Sequence, residues 1–420
     1  MKKATGTTRL IAGWALARIP THTMDTIYDV VVVGNGMFGA AAARHLSARG
    51  LRVVAVGPDE PADWKAHNGV FSSHYDQGRI TRVIDTDPVW AQLAQRSIAV
   101  YPQLEAQSGV TFHHRSGGVW IYPQIPAALA RLQQANAVGR TFGAEFDRLT
   151  DRDVMARFPF LQVPSGAITL WERGAAGYID PRSMVRAQLA IAGKQGATVL
   201  RETVTGYTRG NDVFEVTTDG GARVRAAKLL IAAGAYTNHL LARPLAMQCK
   251  ARTVLLAEID ETEARRLEAL TSTIVWLADD PVLESVYSTP AVRYPDGKLC
   301  IKIGGSRHTP YLLETPQQFR QWFQGSGDAE ELAALRSVLL ALLPGLKVTS
   351  YGFKPCVVAF TAHNRPYIDR LDVDQGFVVA GGCGAGAKSC DEIGRVAAGL
   401  VETGAWSYDL PAETFAARWQ

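Results

Sequence analysis

The sequence predicts an α/β protein (α+β overall), in which a parallel-sheet unit is joined to a second sheet that is mixed and largely antiparallel. Three observations predict it. Ile27 to Val33 is an unbroken, β-branched run that leads straight into Gly34-Asn35-Gly36-Met37-Phe38-Gly39. Phe377 to Ala380 is a second apolar run, and it too ends in a glycine-rich loop, Gly381 to Lys388. Residues 248–344 instead alternate in polarity, as in Val254 to Ile259 and Leu299 to Ile303. A continuous apolar run reads as a strand buried on both faces of a parallel sheet, whereas alternation marks an antiparallel sheet with one wet face.

In chain order, residues 1–23 carry Lys2, Lys3, Arg9 and Arg18 with no acid, around a mostly apolar stretch from Leu10 to Ala17. That pattern fits a short targeting segment. The other reading is that Met24 is the natural start, because strand-like sequence follows at once, so residues 1–26 are set apart as an N-terminal extension. After the first strand, Ala40 to Arg49 is helical, Gly50 stops it, and Leu51 to Val56 is a second buried strand. A GxGxxG after a strand and before a helix has a physical meaning: Gly34 permits the tight turn, Gly36 lets the backbone approach a pyrophosphate, and Gly39 lets helix and strand pack closely. The helix N-terminus adds N–H donors and a favourable dipole. This is a Rossmann-like, dinucleotide-binding unit. The acidic residue expected after its second strand is replaced by Gly57, which leaves Asp59 or Glu60 either to reach a ribose or to stand in a solvated loop.

Asp87-Pro88 announces a capped helix that carries Trp90, Leu93, Ser97, Val100 and Leu104 at helical spacing. Thr111 to His114 and Gly118 to Tyr122 read as strands, and His113 and His114 would point to opposite faces and so not chelate one metal. Asp180-Pro181 opens another capped helix with Gly196 beyond its end. Val213 to Thr218 and Arg223 to Ala226 form a hairpin, and Lys228 to Ala233 is a buried strand leading to Gly234. The last glycine loop feeds a helix that includes Ile393 to Val401.

The composition excludes several classes. Lys and Arg number 44 against 40 Asp and Glu, a near-balance that speaks against a dedicated nucleic-acid binder. The five Cys are an odd number without CxxC spacing, against both a disulfide framework and a zinc ribbon, and we expect a reducing, cytoplasmic location. No apolar run reaches the roughly 18 residues of a membrane span. No metal site is expected.

Five ordered segments together resemble a known family: the first βαβ unit, Ser72-Ser73-His74-Tyr75-Asp76-Gln77-Gly78-Arg79-Ile80-Thr81-Arg82, the strand Leu229 to Gly234 with Ala235-Tyr236-Thr237, Cys356, and the Gly381 to Lys388 loop. They resemble the flavoproteins of the D-amino-acid oxidase and glycine oxidase superfamily, and most closely the monomeric sarcosine oxidase branch, over roughly residues 27–405. The resemblance implies an FAD domain assembled from separated segments (27–110, 174–247 and 345–420) and a substrate domain (111–173 and 248–344) whose mixed sheet covers the flavin. It implies FAD contacts at Gly34, Gly36, Phe38, Gly39, Ser73, Arg79, Gly234, Gly382, Gly384, Gly386 and Lys388, and a thioether from Cys356 to the flavin 8-methyl carbon. The thiolate is the competent nucleophile there, and Lys354 is a cation close in sequence; the alternative is that Cys356 is simply a small buried hydrophobe. Arg82 and Lys388 match the residues that bind a substrate carboxylate. Lys302 matches the lysine that assists O2 at the flavin, Arg79 a residue near the ring, and Tyr287 a substrate-pocket tyrosine.

The activity implied is FAD-dependent oxidation of a C–N bond in an amino acid or secondary amine, of N-methyl or cyclic imino acid type, with O2 reduced to H2O2. Electron transfer to a quinone or carrier protein, and a non-catalytic flavin-binding subunit, remain as alternatives. The partners implied are a small amine or amino-acid substrate and O2, with the chain a monomer or small homo-oligomer. Departures fall at pocket positions: Ser306 stands where the family has histidine, with His308 nearby, and Ala385 and Ala387 replace larger residues. They imply a reshaped, roomier pocket, and sarcosine itself is not the expected substrate.

Overall fold

The computed structural model describes residues 26–420; the expectations for a targeting segment or a start at Met24 lie outside the described residues. Ile27–Val33 is an inner strand of an eight-stranded sheet, paired in parallel with Val53–Val56 on one side and Arg223–Ile231 on the other. The parallel set continues through Thr198–Leu200 and Gly376–Ala380. Phe214–Thr218 and Val204–Arg209 add antiparallel strands, as does Tyr367–Arg370. Segments far apart in the chain thus share one sheet, whose central strands bury both faces: Val30, Val31, Val32, Val53 and Leu229 are all at 0–1% exposure.

The helices begin where their caps dictate. Asp87 accepts a hydrogen bond from the N–H of Val89 to start Pro88–Ser108, and Asp180 accepts from Ser183 to start Pro181–Lys194. The closest helix contact joins Met37–Ser47 to Cys390–Thr403 through small residues. A Cβ on Gly394 would lie 2.5 Å from the Ala41 Cβ and 2.7 Å from the Ala42 nitrogen.

The second sheet has nine strands and is antiparallel except where Ser272–Trp276 runs parallel to Gly118–Tyr122. The expectation of one wet face holds only in part. The helix Ala329–Leu342 lays Leu335 and Leu339 against Leu255, Ile301 and Ile303 on one face; on the other, Lys250, Arg252 and Leu256 are half-buried, while Lys302 is fully buried under Asp76 and Gly78. Ser350–Thr361, within the 345–420 segment that the resemblance gives to the FAD domain, pairs along its whole length with Met247–Glu258 of the second sheet. Its burial alternates residue by residue from Lys354, the pattern of an antiparallel strand rather than of a doubly buried one. A small third sheet joins Arg79–Thr81, Gly177–Ile179 and His113–His114; within it His113 is buried and His114 exposed, on opposite faces as expected. No helix among the described residues is long and apolar enough to cross a membrane.

The helix–helix contact yields a paired prediction. Gly394→Ala gains about 1 kcal/mol of helix propensity but drives a methyl into the backbone of the neighbouring helix, where overpacking costs about 1–3 kcal/mol. Gly193, also helical, has open space around its missing Cβ. In urea denaturation, Gly394→Ala should lower stability and Gly193→Ala should raise it.

Candidate active site

Both glycine loops lie at the carboxyl ends of the parallel strands, where ligands of such sheets bind. Gly34 follows Val33 with φ +114°, a conformation closed to other residues. The helix Met37–Ser47 starts at Gly36 with no side-chain cap and no acid in its first turn. Ile231 is followed by Gly234, and Ala380 by Gly381, so the strand ends converge. The two loops touch: a Cβ on Gly386 would lie 2.7 Å from the Gly382 Cα and 2.9 Å from the Phe38 ring. Gly57 is glycine for a related reason, since a Cβ there would lie 2.5 Å from the Asn35 nitrogen, and Asn35 Nδ2 donates to the Gly57 carbonyl at 3.0 Å. Asp59 and Glu60 are each engaged by an arginine, Arg201 at 2.7 Å and Arg182 at 2.5 Å.

The segment 72–82 bridges the two sheets through Asp76, which sequence reasoning quoted but gave no role. Asp76 is 3% exposed. Its carboxylate accepts from Lys302 Nζ at 2.6 Å, from Arg79, from the Tyr294 hydroxyl at 3.0 Å and from the Gln77 N–H at 2.8 Å. Lys302 is completely buried and also donates to the Gly78 carbonyl. Burial, with the Arg79 charge beside it, pushes the Lys302 pKa well down from its ordinary value, and the Asp76 carboxylate at 2.6 Å is what favours its charged form. Its Nζ lies 5.5 Å from the centre of the Tyr287 ring, so this expected pair does meet across the sheet. Arg79 donates to the Ser73 carbonyl at 2.9 Å and contacts the Cys356 sulfur at 3.5 Å.

Cys356 is half-buried. It shares a small cleft with Trp64, Ser72, Ser73 and Arg79. The cation touching its sulfur is Arg79 rather than Lys354, whose Nζ sits over the Trp64 ring at 4.3 Å. Burial, with Arg182 nearby, pulls the Lys354 pKa down to about 7.

Arg82 and Lys388 are also brought together, by a residue that sequence reasoning missed. Asp85 Oδ2 lies 3.0 Å from Lys388 Nζ and 3.2 Å from Arg82, and its Oδ1 accepts from the N–H of Thr86 at 2.8 Å. Lys388 is 2% exposed; burial lowers its pKa and the Asp85 charge opposes the fall. Glu172, 1% exposed, supports the same turn by accepting from the N–H of Val83 at 2.6 Å and of Ile84 at 3.3 Å, and from Trp120 Nε1 at 3.0 Å. Arg82 lies over the Trp120 ring. His308 does not enter the site: it is half exposed and faces the Asp280 carbonyl at 3.0 Å.

A nucleotide-binding parallel sheet covered by a second sheet with a buried lysine defines a two-part oxidoreductase scaffold. The chain belongs to the FAD dependent oxidoreductase family, whose model matches residues 29–400. It is 26% identical to the monomeric sarcosine oxidase of Streptomyces avermitilis over 392 residues, covering 92% of this chain and 97% of that protein. It is 25% identical to the N-methyl-L-tryptophan oxidase of Yersinia pestis over 396 residues, covering 93% and 99%. Among solved structures, the open form of NikD, described as an unusual amino acid oxidase essential for nikkomycin biosynthesis, shares the fold with a TM-score of 0.74 at 21% identity, over 93% of this chain and 98% of that one. The residues present fit FAD: the uncapped helix start leaves N–H donors for a phosphate, and side chains are absent from the loops where a nucleotide needs close backbone approach.

Removing Asp76 strands a buried charge. Asp76→Ala should cost about 3–5 kcal/mol, whereas adding Lys302→Met to it should recover part of that loss. A double-mutant cycle in urea measures the coupling.

Proposed function

We propose that the protein oxidises the C–N bond of an amino acid or secondary amine to an imine and passes the electrons to O2. One observation carries this reading. Strand register puts Lys302, Tyr287 and Cys356 on a single face of the second sheet, and Asp76 ties that face to the segment leading to Arg82. Bound FAD would supply the two-electron redox chemistry, as oxidant of the amine and reductant of O2. Gly34, Gly36, Phe38, Gly39, Ser73, Gly234, Gly382, Gly384 and Gly386 would hold it, and Cys356, whose sulfur lies 3.5 Å from Arg79, would anchor it covalently.

The chain's own contribution is position and charge. Arg82 and Lys388 bind the substrate carboxylate by charge-assisted hydrogen bonds, and Asp85 keeps both cations aimed. Tyr287 walls the substrate pocket. Lys302, fixed by Asp76 and the Gly78 carbonyl, provides a preorganised positive charge where negative charge develops as O2 is reduced. The sheets exclude water from these groups, which strengthens each interaction.

Anaerobic mixing with amino acids, N-methyl amino acids, cyclic imino acids and simple amines tests the reaction: one class should bleach the flavin, and bleaching by dithionite alone would sink the proposal. Lys302→Met should leave that bleaching intact while slowing reoxidation by O2 at least tenfold in stopped flow. Cys356→Ser should release FAD on acid precipitation, where the unmodified protein retains it in the pellet.

A further inference from the structure

We propose that Arg252 binds an anionic group of the substrate, and that the substrate is an amino acid with a second acidic group. The inference rests on the amine-oxidising reading above and narrows its substrate class.

Strand register locates Arg252. It stands directly across from Cys356. Alternation along Met247–Glu258 places it on the same face as Val254 and Leu256, whose cross-strand partners are Lys354, Gly304 and Lys302. Tyr287 joins that face as the partner of Gly304. Arg252 therefore shares a surface with Cys356, Tyr287 and Lys302.

Its guanidinium has no direct acidic partner among the described residues, and the Glu331 charge acts on it only from beyond ion-pair distance. The Nη1 atom is buried and has no hydrogen-bond partner, and the guanidinium forms no ion pair among the described residues. The other cations of the site differ. Lys302 and Arg79 share Asp76, and Arg82 and Lys388 share Asp85. Lys354 has a pKa pulled to about 7 and can shed its proton, but an arginine cannot, so the charge of half-buried Arg252, with its buried Nη1 unpartnered, favours an anion beside it. Glu331 meets that charge only in part. That carboxyl belongs to the helix covering the opposite face, its Oε2 accepts from the Thr253 N–H at 3.1 Å, and although its charge acts on Arg252 it forms no hydrogen bond or ion pair with the guanidinium among the described residues. A guanidinium presents a planar fork that a carboxylate fills with two parallel hydrogen bonds. Arg82 and Lys388 take one carboxylate, and Arg252, on the covering sheet, takes another.

The test uses the FAD-loaded protein and needs no turnover. The flavin absorbance is titrated with glutarate and butyrate, and with succinate and propionate. We expect at least one dicarboxylate to bind at least tenfold tighter than its monocarboxylate partner. Arg252→Gln should erase that preference without changing monocarboxylate binding, while Arg252→Lys should keep part of it. Equal binding of both members of each pair by the unaltered protein overturns the proposal, and so does a preference that survives Arg252→Gln. Loss of FAD from Arg252→Gln with the preference unchanged would overturn it too, by assigning the residue to the cofactor. Failure of the amine-oxidising reading shows separately, as a flavin that no amine reduces.

Discussion

Asp76 is the charge on which the two halves of the molecule meet. It is buried, and so are the ammonium of Lys302 from the second sheet and most of Arg79 from its own segment. None of these charges is stable alone in a low-dielectric interior; together they satisfy one another. The arrangement fixes the segment 72–82 against the sheet, and with it Arg79 beside Cys356 and the turn that carries Arg82. A hydrophobic substitute could fill the same volume but could not hold a cation ready at a stated point.

The same logic recurs at Asp85, where two cations from distant parts of the chain face one carboxylate held by a backbone N–H. Glu172 supports the turn from below. The site is thus built from acids that position bases. The glycine loops are built from the opposite device, the removal of side chains: Gly34, Gly39, Gly57 and Gly386 are places where backbone must come close to backbone.

Most of the parallel sheet was legible because its strands are apolar runs and its loops are glycine motifs, signals that are local in sequence. The caps at Asp87 and Asp180 were legible for the same reason. Lys302 stood out as a charge in an apolar strand, and Lys388 as a cation at a helix start where the dipole disfavours it. The carboxylates were not legible, since Asp76, Asp85 and Glu172 look like ordinary polar residues until the fold brings Lys302, Lys388 and the Val83 amide to them. The second sheet's polar face was only partly legible, because alternation shows that the two faces differ but not that the segment around Asp76 and Gly78 closes over Lys302 on the more polar one.

The contact of Phe38 with Gly386 has a bearing on how the protein is made. Residues close to the start of the described chain and residues near its end form the two lips of one cradle, and Gly376–Ala380 pairs with Leu229–Ile231 in the same sheet. Such long-range closure is slow to form and leaves strands unpaired meanwhile. During synthesis the first βαβ unit must wait until almost the whole polypeptide has left the ribosome before its cradle is complete. The cradle is thereby tied to full-length translation, and a chain that ends before Gly386 lacks one of its lips.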